Sequence, residues 1–245
     1  MRLRDRVPTL AALALVVVTV SLGNWQMRRA DEKRALHAMR EAAAHAVAIR
    51  MPADDLDPSR LQGRKVVVRG TWLPQRTVFV DNRTHKGIAG FHVLSALRIT
   101  ASDRHVLVLR GWVASDPRER TRLPELATPA AEVEIEGIAE RDLEQALELG
   151  RSAPPGPQDR LWQNADVASF ARWSGLAMQP LVVRETVAPR IGGADRDDGL
   201  VRDWPDPGSG VDKHLGYAFQ WYALAVLVAG LWVRFVLFGT RKAGR

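Results

Sequence analysis

The chain of 245 residues contains no cysteine. An exported domain built from it has no disulfide framework. The same absence excludes c-type haem attachment, thiolate zinc and a thiol-based copper relay. Histidine is sparse, six in all, and none falls in an H-x-x-H or H-E-x-x-H pair. There is no dinucleotide-binding glycine fingerprint, no P-loop, no internal repeat and no extended low-complexity tract. Nor does a nucleophile with its base, or a paired set of carboxylates, stand out, so no enzyme activity is expected. The formal net charge of +7 is spread over loops and tails without the aromatic-basic motif of an RNA or DNA module, so nucleic acid is not an expected partner. Acidic lipid headgroups or an anionic ligand suit that charge better.

Two apolar runs stand at the ends. The run from Leu215 to Phe238 carries Arg234 as its only charge and is long enough to cross a bilayer core of about 30 Å. Arg234 lies about one turn from the end, where it can snorkel. The run from Val7 to Gly23 is shorter and is followed by Trp25, which suits a headgroup-level anchor. A signal peptide is the rival reading of this first run. Ser21 and Gly23 offer only a weak cleavage site with no A-x-A, which favours an uncleaved anchor. Arg2, Arg4 and Arg6 flank one end, and Arg241, Lys242 and Arg245 the other. Short basic tails stay in the cytoplasm, so both termini are expected inside and residues 24 to about 213 outside.

Between the spans, Arg28 to Ile49 has high helix propensity without Gly or Pro, and Leu36, Met39, Ala43 and Val47 recur at helical spacing. From Lys65 the period becomes strand-like over Lys65 to Trp72, Arg76 to Asp81, Phe91 to Ile99, His105 to Val113 and Glu132 to Ala139. Turn formers at Leu73-Pro74, Lys86-Gly87 and Ser102-Asp103 separate them. Pro154 to Pro157 marks a loop, Asp166 to Gly175 a short helix capped by Asn164 or Asp166, and Leu181 to Thr186 a further strand. Residues 188 to 212 look like an irregular segment leading back to the membrane. The expected fold is therefore an α+β membrane protein, with two transmembrane helices bracketing an outer antiparallel β-rich domain, a sheet or small barrel. Its parts are a tail (1–6), a first span (7–25), a juxtamembrane stalk helix (26–50), the outer domain (51–213), a second span (214–238) and a tail (239–245).

The most informative residue is His214, at the mouth of the second span. An imidazole at a water–hydrocarbon boundary can ligate a metal, switch charge or cap its helix. Tyr217 and Trp221 follow at three and seven residues on the same helical side, with Ala218 and Ala225 alongside, leaving room for a flat ligand or a neighbouring helix. An ordinary aromatic belt fits the same pattern. Arg83 and Arg110 each follow a strand run, where a guanidinium can hold a carboxylate bidentately or close a strand-end ion pair.

Four motifs in order carry a resemblance. Leu22, Gly23, Trp25, Gln26, Arg29 and Lys33 fit an L-G-x-W-Q-x-x-R-x-x-x-K start, and Asn82-Arg83 with Gly87 and Gly90 an N-R…G…G turn. Arg110, Gly111 and Trp112 fit an R-G-[WF] strand end, and His214, Leu215, Tyr217, Ala218 and Trp221 an H-L-x-Y-A-x-x-W span entrance. Together they resemble the surfeit locus protein 1 family over nearly the whole chain. That resemblance implies a factor for assembly of haem-copper cytochrome c oxidase that binds haem a transiently, with His214 as the iron ligand, and helps deliver it to the catalytic subunit. It implies the oxidase catalytic subunit, the haem a synthesis machinery and membrane lipids as partners, leaves a homo-oligomer open, and implies a bacterial inner membrane with the central domain periplasmic. Arg83, Arg110 or a residue near Trp112 are candidates to meet the haem propionates, with Tyr217 and Trp221 beside the ring. A cofactor-free membrane scaffold that stabilises an oxidase intermediate through helix packing and the stalk, sensitive to enlargement of Ala218 or Ala225, is the alternative.

Overall fold

A computed structural model describes residues 3–54, 56–143, 145, 156, 158–204 and 210–239. Arg2, Arg241, Lys242 and Arg245, the loop at 154–157 apart from Gly156, and part of the returning segment (205–209) lie outside the described residues, as do the side chains of Arg4 and Arg6. The chain divides into two units, one of residues 1–41 with 205–245 and the other of residues 42–204.

The first unit is a pair of helices. Helix α1 runs unbroken over Leu3–His45, so the expected first span and stalk are one element. It ends at His45, short of Arg50. Ile49–Arg50 instead form strand β1, since β-branched Val47 and Ile49 favour extended backbone and Pro52 cannot continue a helix. Helix α3, numbered after α2 of the second unit (Val167–Ser174), spans Val211–Gly239. Both α1 and α3 are long and apolar enough to cross a membrane. Leu10, Leu13, Val17, Phe219, Val226 and Leu227 are exposed along them, a continuous apolar surface that a water-soluble domain would bury.

The second unit is built on one nine-stranded sheet. Its main strands are β2 (Lys65–His85), β3 (Ile88–Ile99), β4 (His105–Ala114), β5 (Val133–Glu140) and β7 (Met178–Glu185), with two-residue strands β6 (Leu161–Trp162), β8 (Arg190–Ile191) and β9 (Ala194–Asp195). Of the two forms left open by sequence the structure has the sheet, in the order β1-β2-β3-β4-β7-β5-β8-β9, with the first part of β2 also paired to β5. The sheet is mixed rather than antiparallel: β1–β2, β2–β6 and β4–β7 are parallel pairs. The crossover needed to bring β7 parallel to β4 is supplied by the long stretch holding β5 and α2. The expected turn at Leu73-Pro74 does not form. The chain runs through as one strand whose register slips between Leu73 and Thr77, so the missing N–H of Pro74 falls where no ladder bond is made.

Other local expectations hold. Lys86 and Gly87 both take positive φ, 48° and 82°, the two-residue turn that joins β2 to β3. Asp166 caps α2 by accepting from Ser169 N at 2.8 Å, and Gly175 ends it at φ 71°. Asp166→Ala is expected to lower the thermal stability of this unit by about 1 kcal/mol, read by unfolding of the purified chain. Helix α2 presses Phe170 onto one face of the sheet, against Leu94, Leu107 and Val182. The opposite face packs Val66, Trp72, Val106, Ile135 and Leu181. Covering both faces explains why β4 reads as a near-continuous apolar run, interrupted at Arg110, rather than an alternation.

Candidate functional site

His214 occupies the first turn of α3. Its Nδ1 stands 2.7 Å from Oε1 of Gln26 on α1. The ring is half-buried, and its Nε2 has no hydrogen bond among the described residues. Two further contacts tie the helices together in antiparallel order: Tyr222 OH donates to Asn24 Oδ1 at 2.7 Å, and Trp232 Nε1 donates to Thr9 Oγ1 at 3.2 Å.

The seam follows a spacing of fours and threes. On α1 it runs through Thr19, Gly23, Gln26 and Ala30, and on α3 through His214, Ala218, Trp221 and Ala225, all buried or half-buried. This is the heptad seam of packed helices, with small residues allowing close approach. Gly23 shows how close: a Cβ there would lie 2.6 Å from Cε1 of Tyr222. Trp221 thus shares the seam with His214. Tyr217 does not; it is 53% exposed, and Tyr222 is the tyrosine that meets α1. Ala218 and Ala225 are buried on this seam. Lys33 reaches the turn before α3, where a Cβ on Gly210 would be 3.1 Å from Nζ. Trp25 and Arg29 lie off the seam, with the Arg29 guanidinium 5.9 Å from the Trp25 ring centroid.

The arginines belong to the other unit. Arg110 is fully buried. Its Nη2 donates to Asp198 Oδ2 at 2.9 Å, its Nη1 to Thr128 Oγ1 at 3.0 Å, and its guanidinium stacks 4.6 Å from the Trp72 ring centroid. Arg202 joins the cluster, donating to Glu185 Oε2 at 2.6 and 2.9 Å and to Asp198 Oδ2 at 2.8 Å. Burial pushes Glu185 up to about 7 against the pull of Arg202. Burial works the same way on Asp198, but the hydrogen bonds and charges of Arg202 and Arg110 outweigh it and hold that carboxyl below its ordinary value. The Arg110 guanidinium is thus held within an ion-pair cluster in the interior of this unit, the strand-end ion pair that the sequence also allowed. Arg83 is half-buried and donates to Asn164 Oδ1 at 3.3 Å.

Residues 13–226 of the chain match the SURF1 family. The chain belongs to that family. Among SURF1 relatives, surfeit locus protein 1 of Homo sapiens is 27% identical over 253 residues, covering 93% of this chain and 77% of that protein. The SURF1-like protein of Rickettsia felis is 24% identical over 228 residues, covering 91% and 94%. The cytochrome oxidase assembly protein SHY1 of Saccharomyces cerevisiae is 29% identical over 168 residues, covering 66% and 42%.

The middle SURF1-like motifs of this chain build one corner of the sheet. Asn82 takes φ 57° at the register shift between Val80 and Arg83. The Trp112 indole then donates to the Arg83 carbonyl at 2.8 Å and lies where a Cβ on Gly90 would come within 2.6 Å of its ring. Gly111 lets the returning segment close in, since a Cβ there would be 2.7 Å from Leu200 Cβ. Trp112 and Val201 exchange backbone hydrogen bonds of 2.8 Å at that point. N-R…G…G and R-G-W are thus two halves of one joint, and Arg110 and Trp112 secure the segment that precedes α3 in the chain.

Proposed function

We propose that this chain is a membrane-anchored assembly factor for haem-copper cytochrome c oxidase, which binds haem a through His214 and assists its insertion into the catalytic subunit without catalysing a reaction of its own. The observation that carries this reading is the His214–Gln26 contact, which engages one ring nitrogen while the other has no hydrogen bond among the described residues. The name of the yeast relative supports the process. In this reading α1 and α3 span a bacterial inner membrane with both termini cytoplasmic and the β unit periplasmic, which suits their exposed apolar surfaces and the bacterial relative.

The residues present fit a haem. His214 would hold the haem, which when bound would supply an iron centre for an imidazole nitrogen. His214 offers that nitrogen at the membrane mouth, where a farnesylated macrocycle can keep its tail in hydrocarbon and its propionates near water. Trp221 lies on the same seam as His214, and Lys33 provides a cation in the same unit.

The reading is tested on the oxidase. Cells lacking this chain are expected to yield oxidase with less haem a per catalytic subunit, restored by the wild-type chain and not by His214→Ala. Full restoration by His214→Ala, at equal membrane abundance, would show that delivery does not pass through this residue.

A further inference from the structure

Gln26 lies in the helix seam one turn from Gly23, and its carboxamide oxygen meets His214 Nδ1 at 2.7 Å. A carboxamide oxygen accepts and cannot donate, so a contact this short needs the hydrogen on Nδ1. A neutral imidazole has one N–H, which leaves the lone pair on Nε2. The two residues are far apart in sequence, and the contact exists because the helices are fixed in register beside it by Gly23 against the Tyr222 ring and by Tyr222 OH on Asn24.

The amide suits this place better than a carboxylate. Glutamate could accept the same hydrogen, but it would put a charge between two apolar helices. A neutral acceptor fixes the tautomer and the ring orientation without adding a charge to the seam. Histidines that ligate metals almost always donate their other N–H to a carboxylate, a backbone carbonyl or water, which sets the donor atom and raises its basicity.

We propose that Gln26 is the positioning residue of His214, holding the ring in the Nδ1–H tautomer so that Nε2 is the donor atom for iron, an inference that rests on the haem-ligand reading above. The test uses the full-length chain in lipid nanodiscs, labelled with nitrogen-15 histidine, with the His214 signals identified by their loss in His214→Ala. Without haem, the wild type is expected to show a protonated Nδ1 and a bare Nε2, and Gln26→Leu a mixture of both tautomers. Titrated with ferric protoporphyrin IX, Gln26→Leu is expected to bind about 10–100-fold more weakly than wild type. Gln26→Glu keeps an acceptor on Nδ1, so it is expected to recover most of that binding, with a lower reduction potential of the bound haem than in wild type. A wild-type spectrum with the proton on Nε2 overturns the proposal, as does a Gln26→Leu variant with unchanged tautomer and unchanged affinity. Failure of the wild type to bind either ferric protoporphyrin IX or ferric haem a while its Nδ1 is protonated would instead defeat the haem reading, and control of the tautomer by Gln26 would then be decided by the Gln26→Leu spectrum alone.

Discussion

Arg110→Ala is expected to destabilise the β unit by about 3–5 kcal/mol, because removing one partner of a buried ion pair leaves charge without compensation. Asp198 would lose one of its two guanidinium partners, and Glu185 and Asp198 would be left with Arg202 as the only cation described in the cluster. A hole would open under the Trp72 ring as well. An arginine held ready for a propionate behaves differently: its alanine variant keeps its fold and loses only ligand affinity. Denaturant unfolding of the purified chain, followed by tryptophan emission, separates the two. An unfolding midpoint equal to wild type would contradict the structural role.

Gly111→Val should cost about 3 kcal/mol, combining overpacking with the loss of a backbone pair. The new side chain would project onto Leu200 Cβ and the Val201 carbonyl, 2.7 and 3.0 Å from where its Cβ must sit. Both are attached to rigid backbone, so the returning segment has to move out. Doing so breaks the two Trp112–Val201 hydrogen bonds and opens the Asp198–Arg202 cluster to water. Hydrogen exchange at the Val201 amide is the direct readout, with much faster exchange expected in the variant. Protection equal to wild type would show that the segment is held by something other than this joint.

Much of the fold was legible because the relevant signals are local. The cap at Asp166, the stop at Gly175 and the Lys86-Gly87 turn each depend on a few neighbouring residues, as do the five main strands. What sequence missed depends on distant pairing. Two-residue strands such as β1 and β6 are too short to show a period, and the parallel pairing of β4 with β7 leaves no mark on either strand. Pro74 reads as a turn because its ring suits one, and only the neighbouring strand shows that β2 continues past it. At the site, the position of His214 was legible and its partner was not, since Gln26 stood out only as part of a motif. The seam register was available in principle: 214, 218, 221 and 225 alternate by fours and threes, and Tyr217 falls outside that series. Arg110 also had a signal, since an arginine within the apolar run HVLVLRGWV is rarely buried unless it is paired.

The central claim, that His214 is a haem ligand, is tested most directly by a pyridine haemochrome spectrum of the full-length protein purified from cells that make haem a, beside the same preparation of His214→Ala. The account predicts a haem A spectrum in the wild type and its loss in the variant, with the helix pair still folded. A variant that retains haem at the wild-type level would contradict it.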